Sequence, residues 1–354
     1  MVKQILIKRN TESQLPLATH FLVLLQPFLC TNFLNQLQNL KLNPVYTYIL
    51  VILSMVFWGF SFVWSKIVLN YYDPVTTVLL RLILSSAIMF AGLKLFNRIQ
   101  KIRKEDYKLF LLSALFNPFL YFLGENYGLQ LSSPTIAAVI IATIPLFTPI
   151  LGYISFKEKL SILNIVGLFV SFFGVIFMLI DKDLSFSASP TGVAWLFLAV
   201  ITAVLYAVML KKLAFKYDPF TIIATQNLIG AFYFLPLFFI LDFQQFILVK
   251  PNAELITSLL LLAFFASSLA FAFFTIGARE IGISKTSLFS NLIPVFTAIF
   301  SWFILKEHFE IQKIGAMVLV LSGVILSQIK GRKMFVNFYR FIFVRKKNGI
   351  KEWK

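Results

Sequence analysis

The sequence contains one segment twice, and this repeat constrains the fold more than any other feature. Residues 143–160 read TIPLFTPILGYISFKEKL, and residues 292–309 read LIPVFTAIFSWFILKEHF. A single offset of 149 residues aligns the two segments without a gap and pairs Pro145 with Pro294. Similarity at one fixed offset over this length is the signature of repeated structural units. The chain is therefore predicted to contain two copies of one unit.

Composition places both copies in a membrane. Apolar residues make up 59% of the chain and charged residues 13%, whereas soluble domains have about 25% charged residues. One Cys and two His argue against a disulfide framework, and we predict neither a metal site nor another cofactor. The expected fold class is an all-α integral membrane protein.

Apolar stretches of about the length that crosses a bilayer, roughly 20 residues, follow one another along the chain. They lie at about 45–65, 74–94, 108–130, 134–154, 161–180, 191–211, 219–241, 256–278, 284–304 and 311–329. We therefore predict ten transmembrane helices, five in each copy. The first repeat would cover 45–180, a linker 181–190 and the second repeat 191–329.

The two ends of the chain are unlike the repeats. In residues 1–44 an apolar run is broken by Pro16 and Pro27, so we predict an interfacial or disordered extension. A targeting peptide and an additional span are the alternatives. Residues 330–354 are predicted to form a basic cytoplasmic tail that contacts anionic lipids, and nucleic acid is not an expected partner.

The distribution of Lys and Arg predicts the orientation. With the N-terminus in the cytoplasm, 26 basic residues fall on the cytoplasmic side and five on the outer side. Because basic loops stay in the cytoplasm, we predict a cell (inner or plasma) membrane protein with both termini cytoplasmic. Five spans per copy is an odd number, so the second copy should cross the membrane in the opposite sense. Inverted-topology repeats of this kind build many secondary transporters, with the substrate site near the midplane.

One charged residue lies deep in a predicted span. Arg81 is seven residues into the second span, where an arginine costs roughly 2.5–3.5 kcal/mol at the helix centre. It should therefore face a partner, water or a substrate. Gln226 occupies the matching position of the second copy. Both are candidate substrate-binding residues, and a purely structural anchor is the alternative for Arg81.

A polar stripe is predicted on the third span. Asn117, Tyr121 and Glu125 recur every four residues and so share one helix face. We expect them to line a substrate cavity whose only carboxylate belongs to the first copy; a solvated position at the outer mouth is the alternative for Glu125. Arg81 and Glu125 are predicted at similar depth, so they either neutralise each other or share a cavity suited to a zwitterion.

The other candidate substrate-binding residues are uncharged. Ser287 and Asn291 share one face of the ninth span, although such side chains also join helices to one another. Trp58, Phe62 and Tyr206 fall in matching helices beside small residues, which allow close helix approach. Their rings are therefore expected to point inward.

Two prolines fall near the middle of predicted spans. Pro145 lies in the fourth span and Pro294 in the ninth, at equivalent positions. Interrupted helices at corresponding sites of two repeats mark binding sites in transporters, so we predict that both prolines act as conformational hinges. A kink that serves only packing is the alternative.

Several short motifs occur in a fixed order along residues 46–329. They are WGFSF in the first span, DPVTTVLLR leading through the second, the two segments that contain Lys-Glu, and GVIF and GVIL in the fifth and tenth spans. In this pattern the chain resembles the EamA family of the drug/metabolite transporter superfamily. The resemblance implies ten helices, cytoplasmic termini and a central cavity lined by helices other than the fifth and tenth. Lys157 and Lys306 stand where that family usually has glycine, so a tight glycine turn is not expected there.

The predicted function is secondary transport of a small organic metabolite, such as an amino-acid-like solute or a drug, with export as the implied direction. There is no G-x-x-x-x-G-K-[ST] motif, so ATP-driven pumping is not expected. Coupling to a proton or another ion is left open, as is the choice between monomer and dimer. A multipass membrane enzyme acting on lipids or isoprenoids, and a receptor or assembly factor without transport, are the alternatives.

The predicted topology has a direct test. A reporter fused at Lys354 and a reporter inserted at Ser187, in the linker, should lie on opposite sides of the membrane. Alkaline phosphatase and a cytoplasmic fluorescent reporter measure the two locations. Reporters on the same side would contradict both the count of ten spans and the inverted repeat.

Overall fold

The computed structural model describes residues 44–147, 162–180, 188–307 and 310–328, and these residues form helices and no strand. The predictions for the N-terminal extension, most of the linker, the basic tail and Lys157 lie outside the described residues.

We number the helices α1–α10 in chain order; four of them change between α, π and 3-10 geometry along their length. In the first copy, α1 is Pro44–Val68, α2 is Pro74–Leu95, α3 joins Tyr107–Ala114, Leu115–Leu120 and Tyr121–Gln130, α4 is Pro134–Ile141, and α5 is Ile162–Leu179. In the second, α6 is Pro190–Ala214, α7 joins Pro219–Leu237, Phe238–Asp242 and Phe243–Leu248, α8 joins Ala253–Leu261, Leu262–Ala270 and Phe271–Glu280, α9 joins Ile283–Leu288, Phe289–Leu292, Ile293–Phe300 and Ser301–Leu305, and α10 is Ile311–Gln328.

Seven of these helices, α1–α3 and α6–α9, are long and apolar enough to cross a membrane. Within the described residues α4, α5 and α10 are shorter, and each adjoins residues that are not described. Large apolar side chains such as Phe169 and Phe173 of α5 remain exposed, as suits a surface in contact with lipid chains. The chain is a multi-pass helical membrane protein, and ten crossings stay a prediction.

Helices α2, α4, α6 and α7 begin with proline directly after a polar residue. Proline has no N–H, and its fixed φ suits the first position of a helix. In α7 the Asp218 carboxylate accepts hydrogen bonds from the Phe220 and Thr221 N–H groups at 3.0 and 3.3 Å. At the start of α2 that role is taken by Asp242 of α7, whose Oδ2 accepts from the Thr76 N–H at 2.8 Å. The second copy therefore caps a helix of the first.

Both α3 and α8 carry a π-helical stretch at matching positions, Leu115–Leu120 and Leu262–Ala270. In α3 the cause is local, because Pro118 lacks an N–H and Asn117 leaves the helical region at φ −147° and ψ 119°. The stretch in α8 contains no proline, and its sequence offers no equivalent cause. Such stretches are frequent at functional sites, and both of these adjoin the cavity described below.

The main packing contacts between helices are preserved when the two copies are exchanged. Helix α2 packs against its counterpart α7, α4 against α9 and α5 against α10. The unlike pairs also match, because α3 packs on α6 as α8 packs on α1, and α4 packs on α6 as α9 packs on α1. The two copies interlock, so the space between them is enclosed by helices from both.

Two glycines allow α5 and α10 to cross in close contact. A Cβ atom at Gly174 would lie 2.8 Å from the Val320 backbone nitrogen, and a Cβ atom at Gly323 would collide with the Ser171 nitrogen. The repeat offset maps Gly174 onto Gly323 and Ser171 onto Val320, so the two contacts are equivalent. Residue numbers run in opposite directions along the two helices, so α5 and α10 cross antiparallel.

Replacing Gly323 by Ala is expected to lower the free energy of unfolding by about 1–3 kcal/mol, because the added methyl group meets backbone with little room to move. Gly315 of the same helix is the matched control. Nothing lies within 4 Å of a Cβ atom there, so Gly315→Ala should be neutral or slightly stabilising. Thermal unfolding of the purified proteins in detergent measures both effects. Equal stability of the two variants would contradict a close-packed crossing.

Candidate functional site

A cavity of about 90 Å³ lies between the two copies. Its walls come from α1–α4, α6, α8 and α9, and they are formed by Trp58, Ser61, Phe62, Arg81, Asn117, Tyr121, Phe122, Glu125, Ile141, Ile144, Ala203, Tyr206, Ala207, Leu210, Phe271, Phe274, Ile283, Ser287, Ser290 and Ile293. Small-molecule sites usually measure about 300–1,000 Å³. In this conformation the cavity is therefore smaller than a typical small-molecule site.

Two of these lining residues are charged, and they lie together. Arg81 Nη1 is 3.8 Å from Glu125 Oε2, and the Tyr121 hydroxyl donates a hydrogen bond to Glu125 Oε1 at 3.0 Å. The guanidinium also lies over the Phe122 ring, 4.2 Å from its centroid, which is a cation–π arrangement. One end of the cavity thus presents a cation and a carboxylate side by side.

Arg81 keeps hydrogen-bonding capacity at this end. Its side chain is 1% exposed, and its Nε donates to Ser267 Oγ at 2.9 Å. Its Nη1, by contrast, has no hydrogen-bond partner among the described residues. A buried polar atom without a partner costs about 1–3 kcal/mol, and more when it is charged. This nitrogen is therefore suited to bind an oxygen of a water molecule or a solute.

A chain of polar side chains fixes Ser267 and joins three helices. Asn227 of α7 donates to the Ser267 carbonyl oxygen at 3.0 Å and to Ser85 Oγ of α2 at 2.8 Å. Ser85 shares a further hydrogen bond of 2.7 Å with Ser268 of α8. All four side chains are buried. The network therefore fixes Ser267, whose hydroxyl accepts the hydrogen bond from Arg81 Nε.

Gln226, the counterpart of Arg81, does not line the cavity. Its Oε1 accepts a hydrogen bond from the Tyr206 hydroxyl at 3.0 Å, and its Nε2 donates to Ser113 Oγ at 2.9 Å. Tyr206 itself does line the cavity. Gln226 therefore lies one residue behind the wall and orients Tyr206, whereas Arg81 reaches the wall directly.

Aromatic rings supply much of the remaining wall. Trp58 packs on Phe271 with ring centroids 4.9 Å apart, and on Phe274 with centroids 5.2 Å apart. Phe62 lines the cavity as well. The cavity combines a charged end with a largely apolar remainder, an arrangement typical of sites that orient a ligand by a few polar groups.

Helix α9 contributes Ser287 to the wall but not Asn291. The stretch Phe289–Leu292 winds as a 3-10 helix, which turns about 120° per residue instead of about 100°. Later residues therefore present a different face. Ser287 and Ser290 line the cavity, while Asn291 is buried outside the lining. The shared face inferred from the sequence assumed a regular α-helix.

Both predicted hinge prolines follow an interruption in their helix. Helix α4 ends at Ile141, and Pro145 lies in a short helical turn after a two-residue break. In α9, Pro294 lies in the first turn of the α-helix that resumes after the 3-10 stretch. The interruptions occupy matching positions, and both adjoin the cavity through Ile144 and Ile293. Their role as hinges stays a prediction.

The structure brings most of the predicted binding residues into one wall. Those that line the cavity are Trp58, Phe62, Arg81, Asn117, Tyr121, Glu125, Tyr206 and Ser287. Gln226 and Asn291 lie outside the lining. The polar stripe on α3 and the charged residue of α2 therefore meet, although their helices are separated by a loop in the sequence.

The sequence reasoning missed twelve of the lining residues, among them Phe122, Phe271 and Phe274, and it also missed Ser267 behind Arg81. Phe271 precedes Phe274 by about one helical turn, so its spacing could have indicated a shared face. Phe122, which also lines the cavity, precedes Glu125 by three residues, whereas Ser267 gave no such signal because it acts through Arg81. Ser267 lies 186 residues from Arg81 in the chain, and only the packing of α8 on α2 brings them together.

Comparison with known proteins identifies the family. The profile of the EamA-like transporter family matches residues 45–180 and 190–329. The uncharacterized transporter YyaM of Bacillus subtilis is 30% identical over 294 residues, which cover 79% of this chain and 92% of YyaM. An uncharacterized transporter of Archaeoglobus fulgidus is 24% identical over 286 residues, covering 80% of this chain and 98% of its own length. The chain belongs to the EamA-like transporter family, and the resemblance seen in its motifs is confirmed.

One solved structure, described only as the crystal structure of a protein, matches 82% of this chain and 99% of its own length. The TM-score is 0.61 and the sequence identity is 14%. This likeness shows a shared fold. The role comes from the family assignment, which makes the chain a multi-pass transporter of the drug/metabolite transporter superfamily.

Removing Glu125 alone should be costly. Glu125→Gln leaves the Arg81 cation buried without its carboxylate, so we expect a loss of stability of about 3–5 kcal/mol. The double variant Arg81→Gln/Glu125→Gln removes both charges and should lose less than the sum of the two single variants. Thermal unfolding of the four proteins in detergent yields the coupling energy. Additive losses would show that the two side chains do not interact.

Proposed function

We propose that the chain is a secondary transporter that carries a small zwitterionic, amino-acid-like metabolite across the cell membrane. The observation that carries this proposal is the buried pair Arg81 and Glu125, 3.8 Å apart in a cavity between the two copies. The guanidinium would bind the carboxylate of the solute. Glu125, beside the Tyr121 hydroxyl, would bind its ammonium group. A drug with the same two charges would fit the same end.

The remainder of the cavity would receive the uncharged part of the solute. Trp58 packs against both Phe271 and Phe274 there, and the three rings offer apolar surface. Burying such surface contributes about 25 cal/mol per Å². Binding would therefore combine charge recognition at one end with apolar contact at the other, and a solute with only one of these features would bind less tightly.

The two copies are proposed to cross the membrane in opposite senses. Support comes from two pairs of packed helices, α5 with α10 and α2 with α7, in which each helix contacts its own counterpart in the other copy. Helices α5 and α10 cross antiparallel at their glycines. In α2 and α7, Ser85 bonds Asn227 while Leu82 contacts Gly230, so these helices are antiparallel as well. Equivalent helices that run antiparallel are expected when one copy is inverted relative to the other.

Transport is proposed to proceed by alternating access, with rocking of one repeat against the other around a midplane site. The cavity of about 90 Å³ is smaller than a typical small-molecule site, so a metabolite can enter only when its walls move. The interrupted helices α4 and α9 are the proposed places of movement, with Pro145 and Pro294 as hinges.

The proposed setting is the cell (inner or plasma) membrane, with ten spans, both termini in the cytoplasm and the basic tail against anionic lipids. Export is the direction that the family resemblance favours. A proton or another ion would be the coupled species where the solute gradient alone does not drive transport. Glu125 is the carboxylate of the cavity wall and is the proposed place for a coupled proton.

Transport by purified protein in liposomes tests this proposal. Glu125→Gln should reduce exchange of zwitterionic and cationic solutes by roughly tenfold to a hundredfold, since a hydrogen bond to a charged group contributes about 1.5–3 kcal/mol. Arg81→Gln should reduce exchange of solutes that carry a carboxylate. Glu254→Gln removes an exposed carboxylate that accepts a hydrogen bond from Tyr71, and it should transport like the unaltered protein.

The result that would overturn the proposal is equally specific. Folded Arg81→Gln and Glu125→Gln proteins that keep the selectivity and the pH profile of the unaltered chain would show that the pair is structural. Thermal unfolding of the same preparations separates loss of binding from loss of fold.

A further inference from the structure

We propose that Lys66, Thr135 and Glu307 form a lock that closes one end of the transport path. Such a lock presupposes the proposed function, since it closes a route for solute. The three side chains come from α1, α4 and the residues after α9, and they meet at the turn between α3 and α4. None of them lines the cavity, so the lock is separate from the binding residues.

The Lys66 ammonium group binds the end of α3. Its Nζ donates to the carbonyl oxygens of Leu129 and Ser132 at 2.9 and 2.7 Å, and it lies 3.3 Å from that of Gln130. The last carbonyl groups of a helix have no partner within the helix and carry partial negative charge. One cation therefore satisfies several acceptors at once, and it ties α1 to the α3–α4 turn.

Glu307 holds the other side of the same turn. Its Oε2 accepts a hydrogen bond from Thr135 Oγ1 at 3.0 Å. Thr135 lies in the first turn of α4, where the helix dipole favours a negative charge. The Glu307 carboxylate also interacts electrostatically with the Lys66 ammonium. Two opposite charges thus join α1, the α3–α4 turn and the end of α9.

The backbone before Glu307 is strained. Lys306 ends α9 in the left-handed conformation, with φ 56° and ψ 32°, which costs a residue with a Cβ atom about 1–2 kcal/mol. The Glu307 N–H donates back to the Ser301 carbonyl oxygen at 3.2 Å. Strain of this kind persists where the surrounding contacts require it. Here the left-handed residue turns the chain so that Glu307 reaches Thr135.

The lock lies directly beyond the charged end of the cavity. Lys66 is about one helical turn beyond Phe62, the last lining residue of α1, and Leu129 is about one turn beyond Glu125, the last of α3. In the other direction the lining continues to Ile283, the first residue of α9. The cavity therefore extends away from the lock, as it should if this end is the closed one.

One stretch of α3 connects the binding site with the lock. It carries the Glu125 side chain and, one turn later, the Leu129 carbonyl oxygen that Lys66 binds. A solute that draws Glu125 toward itself moves the acceptors of Lys66. The hydrogen bonds of Lys66 and Thr135 are at most partly buried, and partly exposed ion pairs are weak. Such a lock can open and close within a transport cycle.

Side-specific labelling tests the lock without any substrate. Replacing Cys30, the single cysteine of the chain, by Ser gives a background in which Ser61 of the cavity wall is changed to Cys. A second protein carries its cysteine at exposed Asn70, just after α1, and identifies the side on which Lys66 lies. A membrane-impermeant methanethiosulfonate is then applied to each face of sealed vesicles.

The Ser61→Cys protein should be labelled mainly from the side opposite to Lys66. Glu307→Gln and Lys66→Met should each raise the labelling rate from the Lys66 side about fivefold or more, the change that corresponds to about 1 kcal/mol. Thr135→Val keeps the shape of its side chain and should do the same. Glu280→Gln removes a carboxylate beside Arg279 at the other end of the bundle, and it is the matched control.

Unchanged labelling rates in all three folded lock variants would overturn the proposed lock. Rapid labelling of the Ser61→Cys protein from the Lys66 side, with Lys66, Thr135 and Glu307 all in place, would overturn it as well. Gel filtration of each preparation establishes that the variants are folded. Both outcomes are distinct from failure of the proposed function. A chain that does not exchange zwitterions can still show side-dependent labelling, and a zwitterion transporter can lack this lock.

Discussion

The arrangement of the bundle depends on the burial of one guanidinium group. Arg81 is 1% exposed in a chain whose helices cross a membrane, and a charge in that position costs about 2.5–3.5 kcal/mol even on insertion scales. The Ser267 hydroxyl, the Phe122 ring and the Glu125 carboxylate offset that cost. Because these partners belong to α3 and α8, the charge ties helices of both copies together, and it also marks the polar end of the cavity.

The two copies share a frame but divide the work of the site unequally. Arg81 of α2 reaches Ser267 of α8, while Gln226 of α7 reaches Ser113 of α3. In both cases a polar side chain of one copy bonds a serine in the third helix of the other, so the packing rule is common to both. The positive charge is not common to both copies, because Gln226 makes its hydrogen bond without carrying a charge. Hydrogen bonds between the copies are therefore distributed over both of them, whereas the two charged residues of the cavity wall, Arg81 and Glu125, belong to the first.

Helix α3 is held at both ends by lysines from corresponding parts of the two copies. Lys66 of α1 binds the carbonyl groups at its end. At its start, Asp106 accepts hydrogen bonds of 2.7 Å from Lys216 and Tyr217, which follow α6, and the bond to Asp106 raises the pKa of Lys216 above its ordinary value. Glu125 lies between these anchors, on a helix whose two ends contact different elements. This arrangement gives the cavity a physical connection to both ends of the bundle.

Local sequence patterns determined the helices, the two copies, the membrane setting and eight of the residues that line the cavity, because long apolar runs and a charge inside one of them permit few arrangements. The tertiary structure decided what lies behind that wall. It placed Gln226 behind Tyr206, turned Asn291 out of the lining through a 3-10 stretch, and brought Ser267 to Arg81. It also gave Lys306 a left-handed conformation that the sequence argued against. Contacts between residues far apart in the chain depend on how helices pack, and no spacing along one helix encodes that packing.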